Sequence, residues 1–380
     1  MPHRTDLLGL SVGQLHETLE PVIDRPFRVK QIFAALHHRR VVDFSQITEL
    51  SLDLRSRLDQ DFRIGLPAVT EARTSSDGTV KVLFEMTDGA SIEAVDIPDG
   101  RRRTFCISSQ AGCPLACQFC VTGYWGAGRD LTVGEIVGQV YRLRGHRDSR
   151  LLEGNQGAES LADETNPDGP KEGKEKDLGG INLVFMGMGE PLLNASSVRQ
   201  AIELLSETIS LRRMTLSTVG ILPALEEMMD WPSRPNLAIS LHAPDDERRS
   251  KIMPVNRSNP LRDLMALLRK YPQDKSRKIT FEYVMIRDFN DQLEAADATA
   301  QLLRGLHAKV NLIPINPDPV LGSRMVPPPL QTVQAFKDRL RNRGVFATVR
   351  KQRGDAVSGA CGQLRAFARA PRGFRTPVNL

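Results

Sequence analysis

Three cysteines that lie close together in the sequence could bind a metal cluster. Cys113, Cys117 and Cys120 occur in the run GCPLACQFC and have the spacing CxxxCxxC. A zinc ribbon usually supplies two CxxC pairs, whereas three thiolates on one short loop are typical of a 4Fe-4S cluster in which one iron has no protein ligand. The spacing therefore predicts one such cluster, with an iron that is free to bind a substrate molecule.

The elements that would position this loop alternate between strand and helix from residue 103 onward. Short apolar runs such as TFCIS, INLVFM and ITFEYVM are separated by helical stretches such as VRQAIELLSE. This alternation predicts an α/β protein with a parallel sheet, and six or so units favour a partial (β/α) barrel over an open sheet. Since such barrels carry their chemistry in the loops after the strands, the cysteine loop, which follows TFCIS, is expected at the active site.

The rest of the chain divides into smaller units. Residues 1–66 have apolar residues at helical spacing and predict a helical accessory domain. Residues 67–98 alternate around the turn sequences SSDG and TDG and predict a short antiparallel β extension. The barrel would span residues 99–350, within which residues 146–178 predict a disordered loop because they are polar and lack aromatic side chains. Residues 351–380 would form a C-terminal loop and a basic tail.

Composition and charge limit the class of protein. No run reaches the roughly 18 apolar residues of a membrane span, and the N-terminus lacks the apolar core of a signal peptide, so we expect a cytoplasmic protein without membrane contact. Five cysteines, an odd number of which three cluster, argue against a secreted disulfide framework. The net charge is only +5, but residues 341–380 contain nine Arg and Lys residues against Asp355 alone. Such a tail would attract a polyanion.

Six runs along the chain resemble one enzyme family. In order they are CISSQAGCPLACQFC, GMGEPLLN, TLSTVGI, SLHAP, MPVN and GACGQL. They resemble the RlmN family of bacterial 23S rRNA and tRNA adenine carbon-2 methyltransferases, which are radical S-adenosylmethionine (SAM) enzymes. The resemblance implies a radical-SAM barrel in which Cys113, Cys117 and Cys120 ligate one 4Fe-4S cluster per chain. The amino and carboxylate groups of SAM would chelate the open iron.

Seven further residues match positions of the family that bind SAM. The resemblance implies that Gly189 and Glu190 contact SAM and that the Glu190 carboxylate accepts its ammonium group. It also implies SAM contacts further round the barrel, at Ser217, Ser240, Leu241, His242 and Asn316. All of these residues follow predicted strands, although each also has an ordinary structural interpretation as a turn, a strand-end cap or a buried histidine.

The two remaining cysteines match the catalytic pair of the family. Adenine carbon 2 is electrophilic and cannot attack the SAM methyl group in a displacement. The resemblance implies that Cys361 takes a methyl group from one SAM and that a second SAM, two per turnover in all, generates the radical that activates it. The resulting covalent RNA adduct would be resolved with Cys106 through a Cys106–Cys361 disulfide. Glu93 matches the proton acceptor, but it could instead pair with a neighbouring lysine.

The implied partners are RNA and a reductase. The substrates would be a specific adenine of 23S rRNA and an adenine in tRNA anticodon arms, which must be unstacked to enter a buried site. The basic tail and the helical module at residues 1–66 are candidate RNA-contacting surfaces. A flavodoxin-type reductase would donate electrons, and we expect the chain to be monomeric.

Two other functions stay open on the sequence alone. A carbon-8 rRNA adenine methyltransferase of the antibiotic-resistance type shares the same motifs and cysteine pair, so only its product would distinguish it. A non-catalytic iron-sulfur or zinc protein that binds nucleic acid would show no SAM turnover and no role for Cys361.

Overall fold

The structure is a computed structural model. It describes the residues numbered 4–100, 102–147, 180–272, 276–323, 325–350, 354, 358–359 and 362–364. Cys361, most of the basic tail and nearly all of the predicted loop at 146–178 lie outside the described residues.

Three helices dominate the N-terminal part of the chain. They are α1 (Val12–Leu19), α2 (Phe27–Ala34) and α3 (Leu52–Asp61). Ser11 and Ser51 cap α1 and α3, since each hydroxyl accepts a hydrogen bond from a backbone N–H in the first turn. The two-residue strands β1 (Thr5–Asp6) and β2 (Phe62–Arg63) pair in parallel and join the two ends of this helical region.

An antiparallel hairpin unit follows the helices. Its strands are β3 (Ala68–Thr74), β4 (Val80–Glu85) and β5 (Ser91–Asp99). Glycines with positive φ, Gly78 and Gly89, occupy the two turns between them. Because β5 also pairs antiparallel with the first barrel strand, this unit extends the barrel sheet at one edge.

Seven parallel strands form the barrel part of the sheet. They are β6 (Arg102–Cys106), β7 (Ile181–Phe185), β8 (Met214–Thr218), β9 (Asn236–Ser240), β10 (Ile279–Met285), β11 (Ala308–Pro314) and β12 (Phe346–Val349). Within the described residues the sheet has ten strands in consecutive order from β12 to β3. Strands β12 and β3 are its two edges and do not pair with each other, so the prediction of a partial (β/α) barrel is confirmed.

Helices connect and cover these strands. They are α4 (Val133–Arg147), α5 (Ala195–Ser206), α6 (Leu222–Met228), α7 (Asp246–Ile252), α8 (Leu261–Lys270), α9 (Leu293–Leu302) and α10 (Leu330–Asn342). In the part of the chain that the structure describes, none of the helices has both the length and the apolarity needed to cross a membrane.

The register of the strands separates an apolar face from a polar one. Leu216 pairs with Leu237, and both belong to the main hydrophobic core. On the opposite face, Ser240 pairs with Glu282, and Ser217 follows Leu216 along its strand. Since side chains alternate between the two faces of a strand, these polar residues point into the barrel. The barrel interior is therefore polar near the carboxyl ends of its strands.

Candidate active site

One cavity at the carboxyl ends of the parallel strands brings together most of the predicted site residues. Its lining includes Cys113, Cys117, Cys120, Gly189, Glu190, Ser217, Ser240, His242 and Asn316. These residues come from the loops after β6, β7, β9 and β11 and from the carboxyl ends of strands β8 and β9. Leu241 is not part of the lining: it is fully buried in the hydrophobic core, and its backbone N–H donates to the carbonyl oxygen of Glu282 (3.0 Å).

The cysteine loop is fixed at both ends by its backbone. The N–H of Cys113 donates to Gly126 O (2.7 Å), and that of Gln118 donates to Ile252 O at the end of α7 (2.9 Å). Burial, and next the negative charge of Cys120, raise the pKa of Cys113 to about 12. Burial and the two neighbouring thiols also raise the pKa of Cys117 well above its usual range. The loop therefore gathers three thiols whose ionised forms need a compensating positive charge.

A metal cluster fits this donor set. Three soft thiolates that share one cavity wall are suited to iron, whose charge would offset the cost of ionising them. Within the described ranges, no three Cys, His, Asp or Glu side chains are close enough together to hold a single ion. The chemistry of the three sulfur donors, rather than their separation, suits the loop to iron.

The turn after β7 places a carboxylate beside the cysteine loop. Gly189 has φ +95°, and a Cβ added there would lie 2.5 Å from the Cβ of Gln110. Glu190 is 3% exposed, and its two carboxylate oxygens accept hydrogen bonds from the N–H groups of Leu192 (3.0 Å) and Val219 (2.9 Å). Burial raises the pKa of Glu190 to about 7. A buried carboxylate that faces a cavity is suited to a cationic group such as an ammonium.

His242 is held as a neutral side chain between the cavity walls. Its Nδ1 accepts a hydrogen bond from the N–H of Val284 (3.0 Å), so the ring proton is on Nε2. Burial, and next the positive charge of Arg249, lower the pKa of His242 to about 3. The ring of Phe119, from the cysteine loop, packs edge-on against it at a centroid distance of 4.5 Å. His242 therefore joins the cysteine loop to the loop after β9.

Glu93 and Cys106 lie on one face of the sheet outside the cavity lining. Lys81 pairs in register with Val95, and Val95 pairs with Cys106, so Lys81, Glu93 and Cys106 share a face. Glu93 Oε1 lies 2.9 Å from Lys81 Nζ, and both side chains are buried. The lysine pairing that the sequence left open therefore occurs. The role of Glu93 as a proton acceptor stays a prediction.

The C-terminal segment packs against the cysteine loop. The carbonyl oxygen of Gly362 accepts a hydrogen bond from Val121 N–H (2.7 Å), and Gly362 also lines the cavity. The hydroxyl of Thr122 donates to Leu364 O (2.7 Å). Cys106 is buried, and no disulfide is found in the described part of the chain. Because Cys361 lies outside that part, its pairing with Cys106 stays a prediction.

The site contains charged residues that the sequence interpretation did not identify. Glu282 and Arg350 line the cavity, and the Nδ2 of Asn311 donates to Glu282 Oε2 (2.7 Å). Burial raises the pKa of Glu282. The signal was a single acidic residue inside the otherwise apolar run ITFEYVM. Arg249, in DDERRSKI, is fully buried behind the cavity, and its sequence context carried no comparable signal because it resembles an exposed helix.

Two family models match the chain. Residues 5–64 match the model described as the ribosomal RNA large subunit methyltransferase N-terminal domain. Residues 159–299 match the model of the radical SAM superfamily.

Curated relatives and a solved structure are similar over nearly the whole chain. The dual-specificity RNA methyltransferase RlmN of Halorhodospira halophila is 43% identical over 364 residues, which cover 94% of this chain and 93% of the relative. The protein of the same name from Alcanivorax borkumensis is 39% identical, covering 95% and 90%. The crystal structure of a radical SAM methyltransferase from Sphaerobacter thermophilus has a TM-score of 0.83 and 36% identity, covering 96% of this chain and 100% of the other.

Proposed function

The chain belongs to the RlmN family of radical SAM RNA methyltransferases, and we propose that it methylates carbon 2 of a specific adenine in 23S rRNA and of an adenine in tRNA anticodon arms. The observation that carries this proposal is the shared cavity, in which three cysteines of one loop face the carboxylate and hydroxyl groups at the ends of the next strands. Enzymes of the radical SAM superfamily use a 4Fe-4S cluster and SAM.

The residues of the cavity divide between these two cofactors. Cys113, Cys117 and Cys120 would hold one cluster per chain. Gly189 and Glu190 would bind the amino-acid part of SAM, since Glu190 offers a buried carboxylate to its ammonium group. Further SAM contacts would come from Ser217, Ser240, His242 and Asn316, and the family match adds Leu241, which lies behind this lining. When bound, the cluster and SAM supply the one-electron chemistry that adenine carbon 2 requires.

The remaining polar groups would carry the methyl group and the proton. Cys361 would accept the methyl group, with two SAM molecules used per turnover, and its sequence neighbour Gly362 lines the cavity. Glu93, whose Oε1 lies 2.9 Å from Lys81 Nζ, would accept the proton that leaves the adenine ring. Cys106, on the same face as Glu93, would resolve the covalent RNA adduct.

RNA binding would involve surfaces beyond the cavity. We propose that the helical unit at 1–66 and the basic segment at 351–380 contact RNA, and that residues 67–98 and 99–350 form the β extension and the barrel. A flavodoxin-type reductase would supply electrons to a monomer. These assignments rest on charge and on family membership.

The proposal is tested by methylation of 23S rRNA and tRNA with protein purified without oxygen. We expect about four irons per chain and 2-methyladenosine as the product identified by mass spectrometry. Cys361→Ala should abolish methylation and retain the iron. An 8-methyladenosine product would favour the carbon-8 reaction, and full activity of Cys361→Ala would exclude the two-cysteine route. Stoichiometric zinc without SAM turnover would favour a non-catalytic protein.

A further inference from the structure

Arg249 is a fully buried arginine behind the SAM-facing wall of the cavity. Its exposed fraction is 0%, and it lies on α7, the short helix after β9. Its guanidinium donates four hydrogen bonds, to Val219 O (2.6 Å), Ser240 O (2.9 Å), Leu241 O (3.1 Å) and Asn256 Oδ1 (2.6 Å). The three carbonyl groups belong to the segments in which β8 and β9 end. One side chain therefore ties together two neighbouring strand ends of the cavity.

The positive charge of Arg249 has no direct carboxylate partner among the described residues. Its hydrogen-bond acceptors are three carbonyls and one amide, and Asp246 is reached only through Asn256, whose Nδ2 donates to Asp246 Oδ1 (2.9 Å). Burial lowers the pKa of Arg249 to about 10, so the guanidinium is still a cation at neutral pH. A buried charge without a counter-ion is costly, and proteins usually pair it. A further negative charge close to the guanidinium would therefore stabilise the folded protein.

The cysteine loop is a further source of negative charge beside this helix. Cys117 packs in one apolar cluster with Ile252 and Met253, at the end of the helix that carries Arg249. The backbone N–H of Gln118, next to Cys117, donates to Ile252 O at the end of that helix (2.9 Å). The side chain thus lies between the strand ends that face SAM and the loop that would hold the cluster.

We propose that Arg249 is a positioning residue that fixes the carbonyl ends of β8 and β9 for SAM and whose charge offsets that of the cluster thiolates. This inference rests on the proposed cluster at Cys113, Cys117 and Cys120. The planar fork of an arginine holds five N–H donors on three nitrogens in fixed directions, so it can reach both strand ends at once, whereas a lysine offers three donors on one nitrogen. The charge would favour the reduced cluster, because reduction adds a negative charge to it.

Two variants separate the fork from the charge. Arg249→Lys keeps the positive charge but loses the fork, and Arg249→Gln keeps amide donors but loses the charge. Arg248→Gln is the matched control, since Arg248 is the adjacent residue of the same helix, is 35% exposed and pairs with Asp245. Circular dichroism and thermal unfolding of each reconstituted protein would establish that it is folded.

The expected results differ between the two variants. Arg249→Gln should shift the reduction potential of the cluster to a more negative value, by about 59 mV for each tenfold change in the reduction equilibrium. Arg249→Lys should leave the potential close to that of the unaltered protein but weaken SAM binding by about tenfold, or 1.4 kcal/mol. Arg248→Gln should change neither quantity.

Each outcome decides one part of the proposal. An unchanged potential in Arg249→Gln would exclude the charge effect, and unchanged SAM affinity in Arg249→Lys would exclude the fork. If Arg249→Gln does not fold, the potential of Arg249→Lys is measured as a function of pH instead. Because burial lowers the pKa of a lysine, the potential should fall with rising pH more than in the unaltered protein, and equal pH dependence would exclude the charge effect. A failure of the cluster assignment itself is recognised separately, since iron would then also be missing from the unaltered and Arg248→Gln proteins.

Discussion

Lys81 Nζ lies 2.9 Å from Glu93 Oε1, and each of these side chains is less than a tenth exposed. The two residues come from adjacent antiparallel strands of the β extension, on the face of the sheet that also carries Cys106. Removing one partner of a buried ion pair destabilises the fold. The stability of the β extension therefore depends on Glu93, the residue that we propose as the proton acceptor.

Breaking this pair should destabilise the protein. Lys81→Met should lower the free energy of unfolding by about 3–5 kcal/mol, and the double variant Lys81→Met/Glu93→Leu should recover most of that loss. Chemical denaturation measures both. The exposed pair Lys251–Glu247 (3.0 Å) is the control, since Lys251→Met should cost less than about 1 kcal/mol. If Glu93 accepts the proton, the double variant should be stable yet inactive, and a fully active double variant would rule out that role.

Glu190→Gln should impair SAM binding without loss of iron. The variant removes the buried negative charge and replaces one acceptor oxygen by a donor, so the N–H of Leu192 or Val219 loses its partner. We expect SAM affinity, measured by calorimetry under anaerobic conditions, to fall at least tenfold, or about 1.4 kcal/mol. Glu226→Gln, at an exposed position of α6, should bind SAM normally. Normal binding by Glu190→Gln would mean that another group receives the ammonium.

The turn glycine Gly189 can be compared with a second glycine of similar conformation. Gly189 and Gly89 have φ +95° and +82°, but a Cβ at Gly189 would meet Gln110 at 2.5 Å, whereas one at Gly89 would meet nothing within 4 Å. Gly89→Ala should therefore cost only the backbone strain of about 1–2 kcal/mol. Gly189→Ala should lower the melting temperature further and weaken SAM binding. Equal melting temperatures would show that the turn can move away from Gln110.

His37 should make the stability depend on pH. It is buried with Nδ1 3.0 Å from the hydroxyl of Tyr141, and burial lowers its pKa from 6.5 to about 4. Below pH 6.5 the unfolded chain therefore binds a proton at His37, whereas the folded chain binds it only below about pH 4. Over this interval His37 should cost up to about 3 kcal/mol of stability as the pH falls. Denaturation of His37→Gln at several pH values should show a smaller loss than the unaltered protein.

The control for this measurement is an exposed histidine of α1. His16→Gln should follow the pH dependence of the unaltered protein, because His16 is exposed in the folded state and is not one of the causes of the lowered pKa of His37. Identical curves for all three proteins would show that His37 does not contribute.

The cluster ligands should be distinguishable from the other described cysteine by iron content. Cys117→Ala should lose the brown chromophore and its iron under anaerobic purification, because a cluster with two protein thiolates is poorly held. Cys106→Ala should keep about four irons per chain, since Cys106 lies outside the cavity lining. Loss of iron from both variants would indicate general damage to the fold.

Local patterns predicted the parts of the site that are close in sequence. The spacing of Cys113, Cys117 and Cys120 and the alternation of strands and helices are visible in short windows, and the turn glycine Gly189 lies directly after a recognisable strand. These signals were sufficient to predict the barrel and to place a cysteine loop after β6.

Long-range contacts could not be read from such windows. The pairing of Lys81 with Glu93 depends on the register of two strands. The burial of Arg249 depends on carbonyl groups that accept its hydrogen bonds and lie up to thirty residues away in the sequence. Side chains of this kind look like solvated surface residues in the sequence, because their partners are fixed only when the sheet is assembled.

The contact between Thr122 and Leu364 joins segments that are 242 residues apart. On the ribosome, the cysteine loop is therefore synthesised long before the segment that covers one side of it. One wall of the cavity beside Cys120 is thus complete only when the C-terminal segment has docked on Val121 and Thr122.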